Sequence, residues 1–542
     1  MNGSEPEPTT ESTGDSMSDT AATEEAPRRR PGGRAARVAA RAAGPAGDKR
    51  PVRPGMSGGR YAPLSESECR QVYEAALSLL EEIGMGSPIQ EFIDVVTAAG
   101  GHVIEDRLHF PRALVEEAIS TAASSFTWYG FDDNRSIDVG GDRVHFGTAG
   151  AAVSVWDHET RRHRPSTLLD VYDVARLVDT LEHIHFHVRT LVPRDMVEAR
   201  DLDLNTAYAV AMGTTMPIGT SFFQPEHVVE TVEMFDQMLG GRTGSFAERP
   251  FCVANNTFVV PPLRYAEDAA EAMVAQVRAG MPINLLSAGQ AGATSPAALA
   301  GSLAQALAEC LSALTFVNLM KPGHPCVMGL WPFVSDLRTG AMTGGSGAEA
   351  VLNAAAAQMA NWLNLPSGVP AGMADSKMPD NQAGHEKGMT VALAGNAGAN
   401  LVYESAGMLA SLLACSFEGL VIDNDMLGAV NRTVRGIEVN PETLSTEVIR
   451  EVVHGAGHFL DQDQTLSIMQ TEYVYPEIGD RLSPEDWFDA GATSADERAR
   501  EHVRKVLSTH FPSHIPPDVD AAVRDRFDIH LPVGELTGTS RW

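Results

Sequence analysis

From residue 167 onward, short apolar runs alternate with long amphipathic segments, and this alternation constrains the fold more than any other feature. Short apolar runs indicate buried strands, whereas an apolar stripe at helical spacing indicates a helix. The predicted strands are residues 184–189, 218–223, 251–255, 283–287, 325–330, 368–373, 400–403 and 420–422. The clearest predicted helices are residues 228–239, 266–279, 297–319 and 348–362.

Strands separated by helices predict parallel β/α units, and eight such units are the number that closes a barrel. The predicted fold class is therefore α/β, in the form of a (β/α)8 TIM-like barrel. An open, doubly wound sheet is the alternative. Neither a Gly-x-Gly-x-x-Gly motif nor a P-loop follows an early strand, which weakens the nucleotide-binding form of that alternative.

Composition divides the chain into four parts. Residues 1–60 are rich in Ser, Thr, Glu, Ala, Arg, Gly and Pro and nearly lack large apolar groups, which predicts a disordered N-terminal tail. Residues 61–166 predict an N-terminal extension of helices and strands. The barrel domain is expected at residues 167–515, and residues 516–542 form a C-terminal segment.

Local patterns support the N-terminal extension. Ser65 followed by Glu68 matches a capping box before an apolar helical stripe, and Gly84 supplies the stop signal. Residues 144–146 and 153–156 have strand character and predict a small β region outside the barrel.

Charge and cysteine content narrow the function classes. The chain has 41 Lys and Arg against 71 Asp and Glu, a net charge of −30, which opposes binding to a nucleic acid backbone. The five cysteines are scattered without CxxC spacing, so free thiols in a reducing cytoplasm are expected. The longest apolar stretch, residues 391–421, is interrupted by Asn396, Asn400, Glu404 and Glu418, so no membrane span is expected.

The ends of the predicted strands carry aromatic, amide and acidic side chains. Barrel active sites lie at the C-terminal ends of the strands. A mixture of aromatic faces and carboxylates suits a small organic cation. The residues that follow the strands include Phe223, Gln224, Asn256, Gln290 and Asp423. The predicted substrate-binding residues are Phe222, Asn255, Trp331, Phe333, Tyr403 and Glu404.

Residues 374–388, ADSKMPDNQAGHEKG, follow the sixth predicted strand and are dense in mixed polar groups. This composition predicts a functional loop. A structural alternative stays open, in which Lys377 bridges Asp375 and Asp380.

Two other patterns resemble known sites and are set aside. His454 and His458, with Asp461 nearby, have zinc-like spacing, but two intervening glycines oppose a rigid helix and no HExxH motif is present. Asp528 and His530 resemble a corrinoid-ligating loop, but its glycine comes one residue late and too little chain follows. No metal site is predicted.

Several stretches together resemble the trimethylamine methyltransferase family, in particular its members that lack pyrrolysine. The stretches are residues 291–309, 321–325, 344–366, 374–388, 399–423, 455–465, 473–481 and 487–492. The resemblance spans residues 64–510, and Lys377 lies at the pyrrolysine position. One departure is Gln464-Thr465, where the family has His-Thr.

The resemblance implies a barrel enzyme that moves a methyl group from a quaternary or tertiary methylamine, such as glycine betaine, to cobalt(I). The cobalt belongs to a corrinoid, a cobalamin-type cofactor, on a separate protein, so no tightly bound cofactor is expected. A cytoplasmic homo-oligomer is expected. The alternatives are a barrel lyase or hydrolase of a polar metabolite and a non-catalytic betaine-binding protein.

The resemblance also implies roles for the loop. Asp375 and Glu386 are expected to hold charge near the ammonium, and His385 to contact the cofactor edge or a substrate carboxylate. These three are the predicted catalytic residues. Gln382 and Lys377 are predicted to bind substrate. Transfer from a quaternary ammonium expels a neutral amine, so positioning and desolvation take the place of a protein nucleophile.

Overall fold

The computed structural model describes residues 50–455, 457–538 and 541–542, and its centre is a closed barrel of eight parallel strands. In chain order the strands are β1 Arg143–Thr148, β2 Phe186–Val188, β3 Ile218–Thr220, β4 Cys252–Ala254, β5 Ile283–Ser287, β6 Cys326–Leu330, β7 Ser367–Pro370 and β8 Leu401–Tyr403. Each strand pairs with the next, and β8 pairs with β1 through Leu401–His145 and Val402–Phe146. The predicted (β/α)8 barrel is confirmed.

One long helix follows each strand and packs outside the barrel. The barrel helices are α1 Leu168–Asp179, α2 Ala199–Gly213, α3 Pro225–Met238, α4 Glu267–Ala279, α5 Leu299–Met320, α6 Gly347–Trp362, α7 Asn381–Asn396 and α8 Phe417–Arg435. Among the described residues, α5 alone is long and apolar enough to cross a membrane, and 89% of its most apolar window is buried in the protein. Its apolar length is explained by its place between the barrel and the N-terminal extension.

Additional helices and strands lie before the barrel helices, within the barrel loops and after α8. Before α1 lie helices Glu66–Ser78, Leu79–Ile83 (π), Gln90–Ala98, Arg112–Thr121 and Asp133–Arg135 (3-10), with strands Met56–Ser57, Met85–Gly86, His102–Ile104, Arg107–His109, Ser125–Trp128, Ile137–Gly140, Ser154–Asp157 and Arg162–Pro165. Within the barrel loops lie helix Ser245–Glu248 and strands Gln290–Ala291, Phe333–Ser335, Met342–Thr343, Met408–Leu409 and Ala414–Cys415. After α8 lie helices Thr446–His454, Asp463–Ile468, Pro484–Asp489, Ala495–Thr509, Pro517–Arg526 and Val533–Leu536.

The predicted eighth strand, residues 420–422, is wrong, because these residues lie inside α8. Ser416 caps that helix by accepting a hydrogen bond from the Gly419 amide. A short apolar run on the buried face of a helix has the same pattern as a buried strand.

The true first strand is β1, which contains residues 144–146, one of the two runs that the sequence analysis assigned to a separate β region. The other run, residues 153–156, does lie in a strand outside the barrel, Ser154–Asp157. The barrel therefore begins at Arg143 and not at residue 167. Within β1, a Cβ atom on Gly147 would lie 2.4 Å from the ring of Phe186, so only glycine fits against β2 here.

The tail boundary at residue 60 also differs from the structure. Residues 1–49 lie outside the described residues, but residues 50–60 pack on the barrel. Met56 and Ser57 pair antiparallel with β1, and Val52 is buried. The Gly59 amide donates to the Asn396 carbonyl at the end of α7. These backbone pairs and two buried apolar side chains make residues 50–60 part of the fold.

Closure of the barrel is fixed by the buried side chain of Asn400, which precedes β8. Its Nδ2 donates to the carbonyls of Gly141 and Arg143, both at 2.9 Å, and its Oδ1 accepts from the Ser367 amide at 2.9 Å. Its backbone carbonyl accepts from the His145 amide at 2.9 Å. One residue thus joins β7, β8 and β1.

The C-terminal residues join the outer helices across the same closure. Arg541 forms ion pairs with Asp170 and Asp173 of α1. The ring of Trp542 packs on Phe417, the first residue of α8, with centroids 5.1 Å apart. The C-terminal end therefore bridges the first and last helices of the barrel.

Candidate active site

A cavity of about 610 Å³ opens at the C-terminal ends of the strands. Seven of the eight strands or the loops after them contribute to its wall, β7 being the exception. Its lining residues are Gly150, Ala151, Arg189, Ser221, Phe222, Phe223, Asn255, Asn256, Thr257, Ala266, Glu267, Asp268, Ala269, Leu286, Ala288, Trp331, Phe333, Glu404 and Leu412. The position and size suit a small-molecule site in a barrel enzyme.

Aromatic rings form the wall after β6 and β8. Trp331 packs on Phe333 with centroids 6.5 Å apart and on Tyr403 with centroids 5.3 Å apart. Trp331 and Phe333 line the cavity, whereas Tyr403 is fully buried behind them. Of the three rings, those of Trp331 and Phe333 border the cavity, and Tyr403 supports the Trp331 ring from behind instead of lining the cavity as predicted.

Glu404 places a buried carboxyl in this wall, directly after β8. Its backbone has a φ of 58°, a left-handed conformation that costs a non-glycine residue energy and is over-represented at functional sites. Its Oε2 has no hydrogen-bond partner among the described residues, and burial raises its pKa to about 8. Burial therefore favours the neutral form of Glu404 at pH 7.

A second buried carboxyl, Glu349 in the first turn of α6, lies near Glu404. Burial first, and then the charge of Glu404, raise the pKa of Glu349 well above its usual range. The Asn353 side chain and the Val334 backbone lie close enough to Glu349 to offset part of this rise in pKa. Two neighbouring buried acids with raised pKa values favour a positive charge between or beside them. The sequence analysis missed Glu349, because it lies inside a helix and not at a strand end.

Arg189, directly after β2, is the other charged residue that the sequence analysis did not single out. Its Nη1 donates to the Gly150 carbonyl at 3.2 Å. Burial lowers its pKa to about 10, so it stays positively charged at neutral pH. The rule that functional side chains follow the strand ends applies to Arg189 as well. The predicted strand 184–189 included this residue, so it was not counted among the residues after a strand.

Asn255 was predicted to bind substrate, but its side-chain oxygen is already used in a hydrogen bond within the protein. Asn255 Oδ1 accepts a hydrogen bond from Asn284 Nδ2 at 2.7 Å, inside the barrel. The neighbouring Asn256 forms a pair of hydrogen bonds with the backbone of Phe222, from its Nδ2 to the carbonyl and from the amide to its Oδ1. These bonds fix the Phe222 loop at the edge of the cavity.

The loop of residues 374–380 and the start of α7 lie beside the cavity and do not line it. Glu386 Oε2 accepts from the Asp375 amide at 2.8 Å, and its Oε1 accepts from Gln382 Nε2 at 2.8 Å. Asp375 Oδ1 accepts from the Gly344 amide and the Ser411 hydroxyl. These two carboxylates therefore brace the loop. The catalytic roles predicted for this stretch stay predictions.

Three polar side chains of this stretch, those of Lys377, Gln382 and His385, face solvent. Lys377 Nζ donates to the Asp375 carbonyl at 2.6 Å and bridges neither carboxylate. His385 and Gln382 are exposed on the first turns of α7. Asp423, expected on the rim, is instead buried in α8, where it pairs with Lys387 of α7.

The histidine patterns that the sequence analysis set aside lie outside the barrel mouth. His458 is half-exposed and lies 3.6 Å from Asp461. Asp201, Asp528 and His530 place possible ligand atoms within 4.8 Å of one another, on the surface. His530 makes long ion pairs with both aspartates, at 3.9 and 3.5 Å, which accounts for the cluster without a metal.

Comparison with known proteins gives a consistent picture. The sequence model of the family described as Trimethylamine methyltransferase (MTTB) matches residues 30–529. A trimethylamine methyltransferase of Desulfitobacterium hafniense is 31% identical over 471 residues, covering 86% of this chain and 94% of its own. A glycine betaine methyltransferase of the same species is 28% identical over 467 residues, covering 86% and 96%. A trimethylamine methyltransferase of Methanosarcina mazei is 30% identical over 481 residues, covering 86% and 94%.

The raised pKa of Glu404 makes a prediction about stability. Between the ordinary carboxyl pKa of about 4.3 and about 8, the folded protein keeps a proton that the unfolded chain releases, so stability falls as pH rises through this window. Glu404→Gln removes that loss, worth up to about 1.4 kcal/mol per pH unit. Calorimetric melting at pH 5.5 and 7.5 is expected to show a smaller decrease in the variant. Equal decreases in both proteins would contradict the buried neutral carboxyl.

Proposed function

Because the chain belongs to the trimethylamine methyltransferase family and is a methyltransferase, we propose that it transfers a methyl group from a quaternary or tertiary methylamine to the cobalt(I) of a corrinoid on a separate protein. The observation that carries the proposal is the cavity at the barrel mouth, in which aromatic rings stand beside a buried carboxyl with an unpaired oxygen. That combination suits an organic cation, because aromatic faces and a carboxylate both attract positive charge.

The chain's own residues bind and orient the methyl donor. The ammonium lies against Trp331 and Phe333, where a desolvated cation gains on the order of 2 kcal/mol from each ring face. Its charge stabilises the carboxylate form of Glu404, so that residue releases its proton when the donor binds. The burial that raises the pKa of Glu404 thus gives the site an electrostatic preference for a cationic ligand.

The cavity wall supports an external methyl acceptor. Its lining includes neither cysteine nor histidine, and the Ser221 hydroxyl donates to the Asn255 carbonyl. A cobalt(I) corrinoid supplies the electron pair for the new bond to the methyl carbon. The C–N bond breaks with its electrons on nitrogen, so a quaternary ammonium or a protonated tertiary amine leaves as a neutral amine. No side chain has to deliver a proton to it.

The other two functions have less support. A lyase or hydrolase of a polar metabolite needs a general base or nucleophile, and the carboxylates of Glu267 and Asp268 in the cavity wall could serve as a base. The similarity to methyltransferases, and not the cavity lining, weighs against this alternative. A protein that only binds its ligand has no need of an open cavity. Here the rim is open, since Phe223 is 53% exposed. A protein-borne acceptor does need that opening.

The function is tested by screening methylated amines with cobalt(I) cobalamin and following methylcobalamin absorbance. We expect at least one quaternary or tertiary methylamine to methylate cobalt, and Trp331→Leu and Phe333→Leu to weaken its binding by about 1–2 kcal/mol each. The control ligand is 3,3-dimethylbutanol, the uncharged analogue of choline, whose binding should change much less. Absence of methylation with all amines would overturn the proposal; equal weakening of both ligands would remove the rings from cation binding.

We also assign the stretch after β7 to the acceptor side of the reaction. Asp375 and Glu386 act as positioning residues, because they hold the loop through backbone amides. The exposed Lys377, Gln382 and His385 contact the corrinoid. This assignment is supported by the position of the three residues, just before and in the first turns of α7, on the same face of the barrel as the cavity mouth.

His385→Ala separates this role from a structural one. We expect unchanged melting and unchanged amine binding, because the side chain is exposed and hydrogen-bonds only locally. The KM for cobalamin should rise several-fold in the absorbance assay. Gln71→Ala, an exposed change in the N-terminal extension, is the matched control. An unaltered KM in His385→Ala would make this surface irrelevant to the acceptor.

We propose further that the protein is a homo-oligomer that assembles through residues 437–488, called the arm. The arm carries 13 exposed large apolar side chains, against 12 in all other described residues. They are Ile437, Val439, Leu444, Ile449, Val453, Phe459, Leu460, Leu466, Ile468, Tyr473, Tyr475, Leu482 and Phe488. Exposed apolar area of this extent favours a protein interface, and a stable one uses about 20–30 residues per side.

The anchoring of the arm favours a second copy over the methyl acceptor as its partner. Glu472 pairs with Arg432 and Arg435 in the last turn of α8. Barrel helices run antiparallel to the strands, so that turn lies at the face opposite the cavity mouth. An acceptor has to reach the mouth, whereas a second copy has no such restriction.

Light scattering tests the arm. Wild-type protein should have a multiple of the 57.9 kDa chain mass, and the double variant Ile437→Asp, Leu460→Asp should dissociate. Val197→Asp, an exposed site outside the arm, is the control. A monomeric wild type, or an assembled double variant, would contradict the proposal. Lost methyl transfer at unchanged mass would instead place the acceptor on the arm.

A cytoplasmic location is proposed on chemical grounds. All five cysteines are buried free thiols, which suits a reducing compartment. The net charge of −30 opposes binding to a nucleic acid backbone, so nucleic acid is not proposed as a partner.

A further inference from the structure

Another cavity, of about 430 Å³, lies at the face of the barrel opposite the mouth, and we call it the basal pocket. Its wall is built at the N-terminal ends of three strands, because Ile137 precedes β1, Ile184 and His185 precede β2, and Met216 precedes β3. Its volume is in the range of small-molecule sites. The strands separate it from the cavity that takes the methyl donor.

Three arginines border the basal pocket. Arg50 and Arg53 come from the segment that packs on the barrel before the N-terminal extension, and Arg135 comes from the 3-10 turn before β1. An arginine fork matches the oxygens of a carboxylate or a phosphate through parallel hydrogen bonds. Three arginines around one small cavity therefore favour an anionic ligand.

Two acids contact these arginines from the protein side. Arg135 donates from Nη1 to Asp179 Oδ1 at 2.6 Å and from Nη2 to the Asp179 carbonyl at 2.7 Å, which fixes its guanidinium. Arg50 pairs with Glu182 at 2.6 Å, and their side chains are 48% and 54% exposed. Exposed ion pairs contribute little to stability, so Arg50 can exchange Glu182 for a ligand oxygen.

His185 provides an independent indication of a ligand. The Phe146 amide donates to His185 Nδ1 at 3.1 Å, and burial lowers the pKa of His185 well below its usual range. The ring is therefore neutral and carries its proton on Nε2. His185 is 5% exposed and borders the pocket, yet its Nε2 has no hydrogen-bond partner among the described residues. A buried donor of this kind requires an acceptor, which an anionic oxygen supplies.

The rest of the wall is apolar. Val52, Ile137, Ile184 and Met216 border the pocket, and each is at most 4% exposed. A bare inorganic ion would leave these side chains against water, whereas a ligand with an apolar part would cover them. The wall therefore favours an anion that is attached to an organic body.

We propose that the basal pocket binds a small organic oxyanion, in which a carboxylate or phosphate group is attached to an apolar body. The charged group accepts hydrogen bonds from Arg50 and from His185 Nε2, and the body packs against the apolar side chains. Glu182 competes with the ligand for Arg50. Binding at this face leaves the cavity at the mouth free for the methyl donor.

Calorimetric titration of the full chain with four probes tests the ligand class. The probes are phenyl phosphate, benzoate, inorganic phosphate and the uncharged benzyl alcohol. At least one of the two aromatic oxyanions should bind 10-fold or more tightly than both inorganic phosphate and benzyl alcohol. The tighter of the two identifies the charged group. Equal binding of all four probes, or no binding, would overturn the proposal.

Three variants locate the binding in the basal pocket. Arg50→Gln should weaken binding of the preferred oxyanion 5-fold or more, whereas Glu182→Gln should strengthen it several-fold, because the competing carboxylate is removed. His185→Phe keeps a ring but removes the Nε2 donor, and should also weaken binding. A purely structural ion pair would give no such opposite effects.

Arg242→Gln is the matched control, because Arg242 also forms an exposed ion pair with a glutamate, Glu248. It should leave the affinity for the oxyanion unchanged. Both Arg50→Gln and Glu182→Gln alter exposed side chains, so they test the site even where His185→Phe does not fold. Unchanged affinity in both would place the anion elsewhere and overturn the proposal. Cobalt methylation is measured separately, so neither result affects the proposed function.

Discussion

The amide of Asn400 joins the two ends of the barrel, and the positions of all other elements follow from that closure. Because parallel strands of a closed sheet end at one face, closing β8 onto β1 gathers the loops after the strands into a single ring. The closing side chain uses both its donors and its acceptor on backbone groups of neighbouring strands, at 2.9 Å each. A buried amide with all its hydrogen bonds satisfied specifies one register, since a slipped pairing would leave several polar groups unpaired.

The cavity that results has an uneven distribution of charge. Aromatic rings after β6, a carboxyl in a left-handed backbone conformation after β8 and an arginine after β2 share the cavity wall. Backbone strain and incompletely paired buried groups in one place are expected where a ligand supplies the missing partners. The cavity wall is therefore preorganised for a charged ligand.

Sequence reasoning located most of the barrel, and its errors have physical causes. Seven of the predicted strands overlap β2 to β8, because buried parallel strands separated by helices give a strong periodic signal. Strand β1 was assigned to another sheet, since its pairing with Leu401 depends on distant residues. The run at 420–422 belongs to a buried helix, and apolar residues in such a helix do not repeat at the spacing that distinguishes a helix from a strand. The rim rule found Trp331, Phe333 and Glu404; it missed Glu349, which reaches the site from a helix.

The contacts of Arg541 and Trp542 with α1 and α8 have a kinetic meaning that the barrel geometry alone does not show. The first and last barrel helices are neighbours in space, and helix Ala495–Thr509 also packs on both of them. Arg541 and Trp542 add ion pairs and a ring contact across the same seam. Separating the two helices has to break these contacts, which slows the opening of the ring even where they add little to equilibrium stability.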